Sequence, residues 1–164
     1  MPENMSRTDS DMERGAGWVI AQGAIFVFFL VAVVFGDTVA DVPGLIFAQV
    51  VGLIVGLAGA TVSAWALLQH GWRVSPFPKP IDDAHLVVSG PYRYVRHPMY
   101  TGIVIFTLGV GLAYANPVAM LSSVTFLVFF MAKTGCEEEM LVARVDGYRA
   151  YRSNVPWRII PFVV

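Results

Sequence analysis

One cysteine, Cys136, is all the sequence holds. That excludes an internal disulfide and any CxxC metal or redox site. Charge is scarce as well: Asp, Glu, Lys and Arg make up 14% of the 164 residues, while 56% are hydrophobic. An ordinary soluble domain carries about 25% charged residues. The net charge of −1 gives no global attraction to nucleic acid. The three histidines, His70, His85 and His97, lack zinc-like spacing. No GxGxxG, P-loop, Ser-His-Asp or Cys-His array occurs, and there are no internal repeats. What remains is the composition of an integral membrane protein.

Three stretches carry no charge at all: 18–36, 44–69 and 99–132. A hydrocarbon core needs roughly 20 apolar residues in a helix. The first stretch fits one crossing, and the second fits one with tilt. The third would make about 51 Å of helix, too long for one crossing. Asn116-Pro117 in its middle is a turn signal. The expectation is a tight helical hairpin, 99–114 and 117–132, each arm short for a full crossing. The fold class is therefore all-α integral membrane, with about four transmembrane helices, a helical hairpin and a cytoplasmic C-terminal helical segment. With four spans, all eleven basic residues fall on one side of the membrane, which places both termini in the cytoplasm. In a bacterium the membrane would be the plasma membrane. The chain divides into a polar, mobile tail at 1–17, two transmembrane helices at 18–69 and a core at 70–164. Thr38-Val39-Ala40 resembles a signal-peptidase site. The run before it is long, and its leading tail holds four acids against two arginines, so an uncleaved span is expected. Gly52-x-x-x-Gly56 and Gly59-x-x-x-Ser63 mark close helix contact, inside the bundle or between protomers.

Polar chemistry is confined to 70–98 and 133–164, which the hairpin folds toward each other. In the stretch Gly90-Pro-Tyr92-Arg93-Tyr94-Val-Arg96-His97-Pro98-Met99-Tyr100, Pro98 marks a helix start, because its missing N–H is one that a first turn leaves unpaired. The amides beyond it would form an anion site. The tyrosines offer flat faces and hydroxyls for an aromatic or cationic ligand. The bland reading is an interfacial belt of snorkelling arginines and anchoring tyrosines. Further on, Glu137-Glu138-Glu139 lies just past the last apolar stretch, with Lys133 four residues before Glu137 on the same helix face. A solvated, charged helix start with a Lys–Glu pair explains Glu139 well and the other two less well. Tyr148 and Tyr151 share a face of a short helix that Pro156 ends. Its bland reading is an amphipathic interfacial helix.

Taken in order, Leu86-Val87-x-x-Gly90-Pro91-Tyr92-x-x-x-Arg96-His97-Pro98-x-Tyr100-x-Gly102, then Glu137-Glu138-x-x-Leu141, then Gly147-Tyr148-x-x-Tyr151 with Val155-Pro156 and Pro161, resemble the isoprenylcysteine carboxyl methyltransferase family. That family belongs with the membrane phospholipid methyltransferases. The resemblance covers about residues 80–162. It implies S-adenosylmethionine as methyl donor, bound at the cytoplasmic face without a Rossmann fold. It also implies a lipid or lipid-like acceptor that reaches the site from the bilayer. Carried over, Leu86 and Val87 would line the adenine end of the cofactor. Tyr92, His97, Pro98, Met99 and Tyr100 would contact it, and Glu137 would hold its amino group. Glu138 stands beside Glu137 as a catalytic candidate, and which of the two meets the cofactor stays open at this level. Lys133 occupies the place of the family's substrate-side arginine and is the other catalytic candidate.

Methyl transfer also explains why polar residues crowd the mouth of an apolar helix pair: a polar donor and an oily acceptor meet at the membrane boundary. The acceptor stays open among prenylcysteine, a phenolic lipid, a phospholipid amine and a small thiol, and so does the oligomeric state. Two other classes compete. A membrane reductase of the sterol-reductase type would use NADPH. A non-enzymatic scaffold or channel subunit would draw on the GxxxG pairs, although no span carries the charge that a conduction path needs.

Overall fold

The computed structural model describes residues 3–70 and 86–163, with the backbone alone over 3–14. His85, Arg73 and Lys79 fall outside the described residues. The elements are α1 (Glu3–Phe35), α2 (Leu45–His70), a 3-10 turn (Gly90–Arg93), α3 (Pro98–Ala113), α4 (Pro117–Arg144) and α5 (Tyr148–Asn154). No strand occurs among the described residues. Gly15–Phe35, α2 and α4 are long and apolar enough to cross a membrane, and α3 is a shorter apolar helix. The chain is an all-helical integral membrane protein.

Two expectations are corrected. The tail at 1–17 is helical from Glu3 and runs without a break into the first span. No glycine or proline interrupts 3–14, so nothing ends the helix there. The second hairpin arm does not stop at 132. It continues to Arg144, 28 residues in all, or about 42 Å. It therefore exceeds a hydrocarbon core of about 30 Å and carries the three glutamates past the apolar zone. α3 does stay short, at 16 residues, or about 24 Å.

The hairpin turn is built on Asn116, which is fully buried. Its Oδ1 accepts from the Ala119 amide at 2.9 Å and caps α4. Its Nδ2 donates to the Ala32 carbonyl at 2.7 Å, which fastens the turn to the end of α1. Pro117 follows as the first helical residue. Further along α4, Phe126 and Phe130 form a buried core with Phe29, Ala32, Ala119 and Ile159.

α2 lies against α3 with backbone nearly touching backbone. Gly52, Gly56 and Gly59 are buried on α2. A Cβ added at Gly59 would strike the Phe106 amide nitrogen and come within 2.7 Å of the Gly102 carbonyl. One added at Gly109 would strike the Gly56 amide nitrogen and approach the Gly52 carbonyl at 2.7 Å. Ser63 Oγ donates to the Met99 carbonyl at 3.0 Å. The small-residue stripe thus packs within one chain. It stations Met99 and the start of α3 against the end of α2.

Gly109→Ala forces two backbones apart and should destabilise the fold by about 1–3 kcal/mol. At Gly23 an added Cβ meets nothing within 4 Å, so Gly23→Ala should stay within about 0.5 kcal/mol of the wild type. Thermal unfolding of both variants in detergent checks this. Equal losses would mean that the α2–α3 contact is not the tight one.

Candidate active site

The residues just before α3, the last turns of α4, and α5 with the residues after it converge on one carboxylate. Glu138 is 1% exposed. Its Oε1 accepts from Arg96 Nε at 2.6 Å and lies 3.3 Å from His97 Nε2. Its Oε2 accepts from Arg96 Nη2 at 3.3 Å and faces Arg152 Nε at 3.5 Å and Arg158 Nε at 3.4 Å. The remaining Arg96 nitrogen, Nη1, donates to the Val155 carbonyl at 2.7 Å. Such a pair survives burial because its donors and acceptors are satisfied.

Glu137 turns the other way. Tyr100 Oη donates to its Oε1 at 2.7 Å, and His97 Nδ1 stands 3.6 Å from its Oε2. His97 thus lies between the two glutamates, one at each ring nitrogen. Its ring is parallel to that of Tyr100 (11°, centroids 5.7 Å apart), and Tyr100 stacks on Phe130 at 4.2 Å. Lys133 is 1% exposed. Its Nζ lies 3.8 Å from Glu137 Oε1 and 5.3 Å from the Tyr100 ring centroid, and it donates to Gln22 Oε1 of α1 at 2.7 Å. Among the described residues no cluster of His, Cys, Asp and Glu could hold a metal ion.

The C-terminal segment closes the site from outside. Arg96 and His97 amides donate to the Trp157 and Arg158 carbonyls, each at 2.9 Å. Thr101 Oγ1 donates to the Ile159 carbonyl at 2.6 Å. The expected anion site at the start of α3 is largely filled: the Tyr100 and Thr101 amides bond to the His97 carbonyl at 3.1 and 3.2 Å. That carbonyl is near enough because His97 is the residue that precedes the first turn.

The sequence-derived residues fall into two groups. His97, Tyr100, Lys133, Glu137 and Glu138 form the cluster just described. Pro98 is buried at its edge, and Met99 is half-buried beside Ser63. Leu86 and Tyr92 belong to a neighbouring group instead. Leu86 packs on Val145, Tyr148, Tyr151 and Val155. Tyr92 is buried, with its ring edge-on to His70 at 5.0 Å and its carbonyl accepting from Tyr151 Oη at 2.7 Å. Burial pushes the Tyr151 hydroxyl up to about 12, so it remains a donor. The tyrosine face of α5 is therefore packed inward. Leu86, Val88, Arg93 and the Tyr151–Val155 end of α5 border an open cleft of about 400 Å³. Val87 is half-buried.

Three participants escape motif reading. Gln22 carries the one side-chain amide between Gly15 and Phe35, and that isolation was its signal, since polar groups in spans are costly. Arg152 and Arg158 reach Glu138 only through the fold and leave no spacing signal.

Removing one partner of a buried ion pair strands the other. Glu138→Gln should therefore lower stability by about 3–5 kcal/mol, while Glu137→Gln should cost less, as its buried partner Lys133 keeps the Gln22 acceptor. Gln22→Leu removes an acceptor from Lys133 and should cost about 1.5–3 kcal/mol, with Gln22→Glu retaining most of it. Thermal unfolding in detergent separates these. A Glu137→Gln loss as large as that of Glu138→Gln would contradict the division of labour.

The profile of the phospholipid methyltransferase family matches residues 46–146. The protein-S-isoprenylcysteine O-methyltransferase of Schizosaccharomyces pombe is 41% identical over 102 residues, covering 60% of this chain and 43% of that protein. The Delta(14)-sterol reductase of Methylotuvimicrobium alcaliphilum is more distant, 24% identical over 163 residues, which cover 88% of this chain and 38% of that one. A solved structure, described as the eukaryotic intramembrane Ras methyltransferase and isoprenylcysteine carboxyl methyltransferase, superposes with a TM-score of 0.64 at 25% identity. It covers 91% of this chain and 53% of that one. The chain spans about half the length of such relatives. The profile match takes in well over half of the residues and contains the whole cluster from Arg96 to Glu138, and on that ground the chain belongs to the phospholipid methyltransferase family.

Proposed function

We propose that the chain is an S-adenosylmethionine-dependent methyltransferase acting on a lipophilic acceptor at the membrane–water boundary, in the manner of the isoprenylcysteine carboxyl O-methyltransferases. One observation carries the reading. Tyr100 Oη meets Glu137 Oε1 at 2.7 Å with His97 alongside, so two distant motif blocks come together. The residues present fit the cofactor. Glu137 offers a carboxylate for an ammonium group. The parallel rings of His97 and Tyr100 offer faces to a sulfonium. Leu86 and Val88 give the cleft beside α5 an apolar wall suited to adenine.

On this reading Leu86, Val87, Tyr92, His97, Pro98, Met99, Tyr100 and Glu137 hold the cofactor. S-adenosylmethionine supplies a methyl group on an already activated sulfonium. The chain's own work is then to align the acceptor and exclude water. Glu138 fixes the His97 ring through Nε2. Lys133 faces the acceptor as a point charge. A lysine cannot form the two-pronged grip of arginine on a carboxylate, so a single acceptor oxygen suits it better. An ionised acid acceptor needs no base, whereas a phenol would pass its proton to His97 or a glutamate. The acceptor's tail enters from the bilayer. The site faces the cytoplasm with both termini, in a bacterium at the plasma membrane.

A second reading draws on the sterol reductase likeness, which extends over most of the chain. It would make the cofactor NADPH. Calorimetric titration of the purified protein with S-adenosylhomocysteine and with NADPH decides between them. Binding of the first alone is expected. In a methyl-transfer assay Glu137→Ala and His97→Ala should then abolish turnover while remaining folded. Binding of NADPH alone would move the chain to the reductases, and binding of neither would return the scaffold.

A further inference from the structure

Glu138 has two faces. Oε1 points to His97 and the Arg96 Nε, on the side of the cluster that holds Tyr100 and Glu137. Oε2 points to Arg152 and Arg158, on the side of an open cleft of about 500 Å³ lined by Arg96, Arg152, Ser153, Pro156 and Arg158. Three guanidinium groups therefore surround one carboxylate. Arg96 alone has a hydrogen bond at each of its three guanidinium nitrogens. Arg152 and Arg158 touch Glu138 at 3.5 and 3.4 Å, through Nε. Among the described residues neither side chain has another partner, and both are partly open to solvent, at 46% and 32%. The cleft is left with uncompensated positive charge and unspent donors.

Its surroundings say what kind of anion it suits. Phe162 and Val163, a few residues beyond Arg158, are 84% and 68% exposed, and the Phe162 ring lies 5.6 Å from that of Trp157. A cationic cleft on a membrane protein, with an exposed aromatic and aliphatic tip four and five residues beyond one of its arginines, suits an interfacial lipid: phosphate for the arginines, acyl chain for the apolar surroundings. The buried Tyr148 hydroxyl has no partner among the described residues and sits close enough to Glu138, Arg96 and Arg152 to feel their charges.

We propose that this cleft binds the phosphate of an anionic phospholipid headgroup, at a site separated from the His97–Glu137 cluster by Glu138 itself. The proposal does not rest on methyl transfer, so a binding assay tests it directly. The full chain in detergent is titrated with dioctanoyl phosphatidylglycerol, dioctanoyl phosphatidylcholine and inorganic phosphate, and the thermal shift is followed. The anionic lipid should raise Tm saturably and the zwitterionic lipid should not. Arg152→Gln with Arg158→Gln should weaken the apparent affinity roughly thirtyfold. Arg149→Gln, an exposed arginine of α5 outside the cleft, should leave it unchanged. If the double variant fails to fold, each single variant should bind roughly fivefold more weakly. An equal response to inorganic phosphate overturns the lipid assignment. Wild-type affinity in the cleft variants, or an equal loss in Arg149→Gln, overturns the cleft.

Discussion

The ion pair between Arg96 and Glu138 is the constraint on which the rest of the site depends. Both side chains are withdrawn from solvent, at 4% and 1% exposure. Two charges so buried are tolerable only with nearly every donor and acceptor used. The geometry meets that condition by recruiting the Val155 carbonyl to the third arginine nitrogen. Three chain segments are thereby drawn to one point. Neighbouring residues then have little freedom. Successive helical side chains point about 100° apart, so turning Glu138 to Arg96 turns Glu137 toward Tyr100. His97, next to Arg96, falls between them.

A second ordering runs inward from this polar knot. His97, Tyr100 and Phe130 form a continuous stack, and Phe126 extends it. The sequence of rings grades from ionisable to hydroxylated to purely apolar, so hydrogen-bonding capacity fades with depth. Lys133 is the exception, a cation carried inward on α4. It is accommodated by an amide from α1, a carboxylate and a ring face. Helix α1, which lies outside the profile match, thus contributes to the same cluster.

Much of this architecture is legible in the amino-acid sequence. The spans can be read because their lack of charge is a local property of the chain. The hairpin can be read because Asn116-Pro117 is a strong local signal, and Asn116 caps α4 as such a signal implies. The distinction among the three glutamates also agrees with their burial: Glu139 is exposed while Glu137 and Glu138 are buried. What sequence reasoning misses depends on distant partners. The continuation of α4 past 132 does not follow from an acidic run, because its burial is balanced by Arg96, 42 residues away. The amides at the start of α3 look available in the sequence, since nothing local shows that the His97 carbonyl takes two of them and that the last segment takes those before. Gln22 and Lys133 are 111 residues apart, and no periodicity connects them.

The pairing of Arg96 and His97 amides with the Trp157 and Arg158 carbonyls has a consequence for biogenesis. Chains emerge from the ribosome N-terminus first. Arg96, His97 and both glutamates are therefore made before residues 155–159. Until then Arg96 lacks its Val155 acceptor and Thr101 its Ile159 acceptor. Residues 155–159 thus act as a latch, closing over the start of α3 only after the segments they bind have been made.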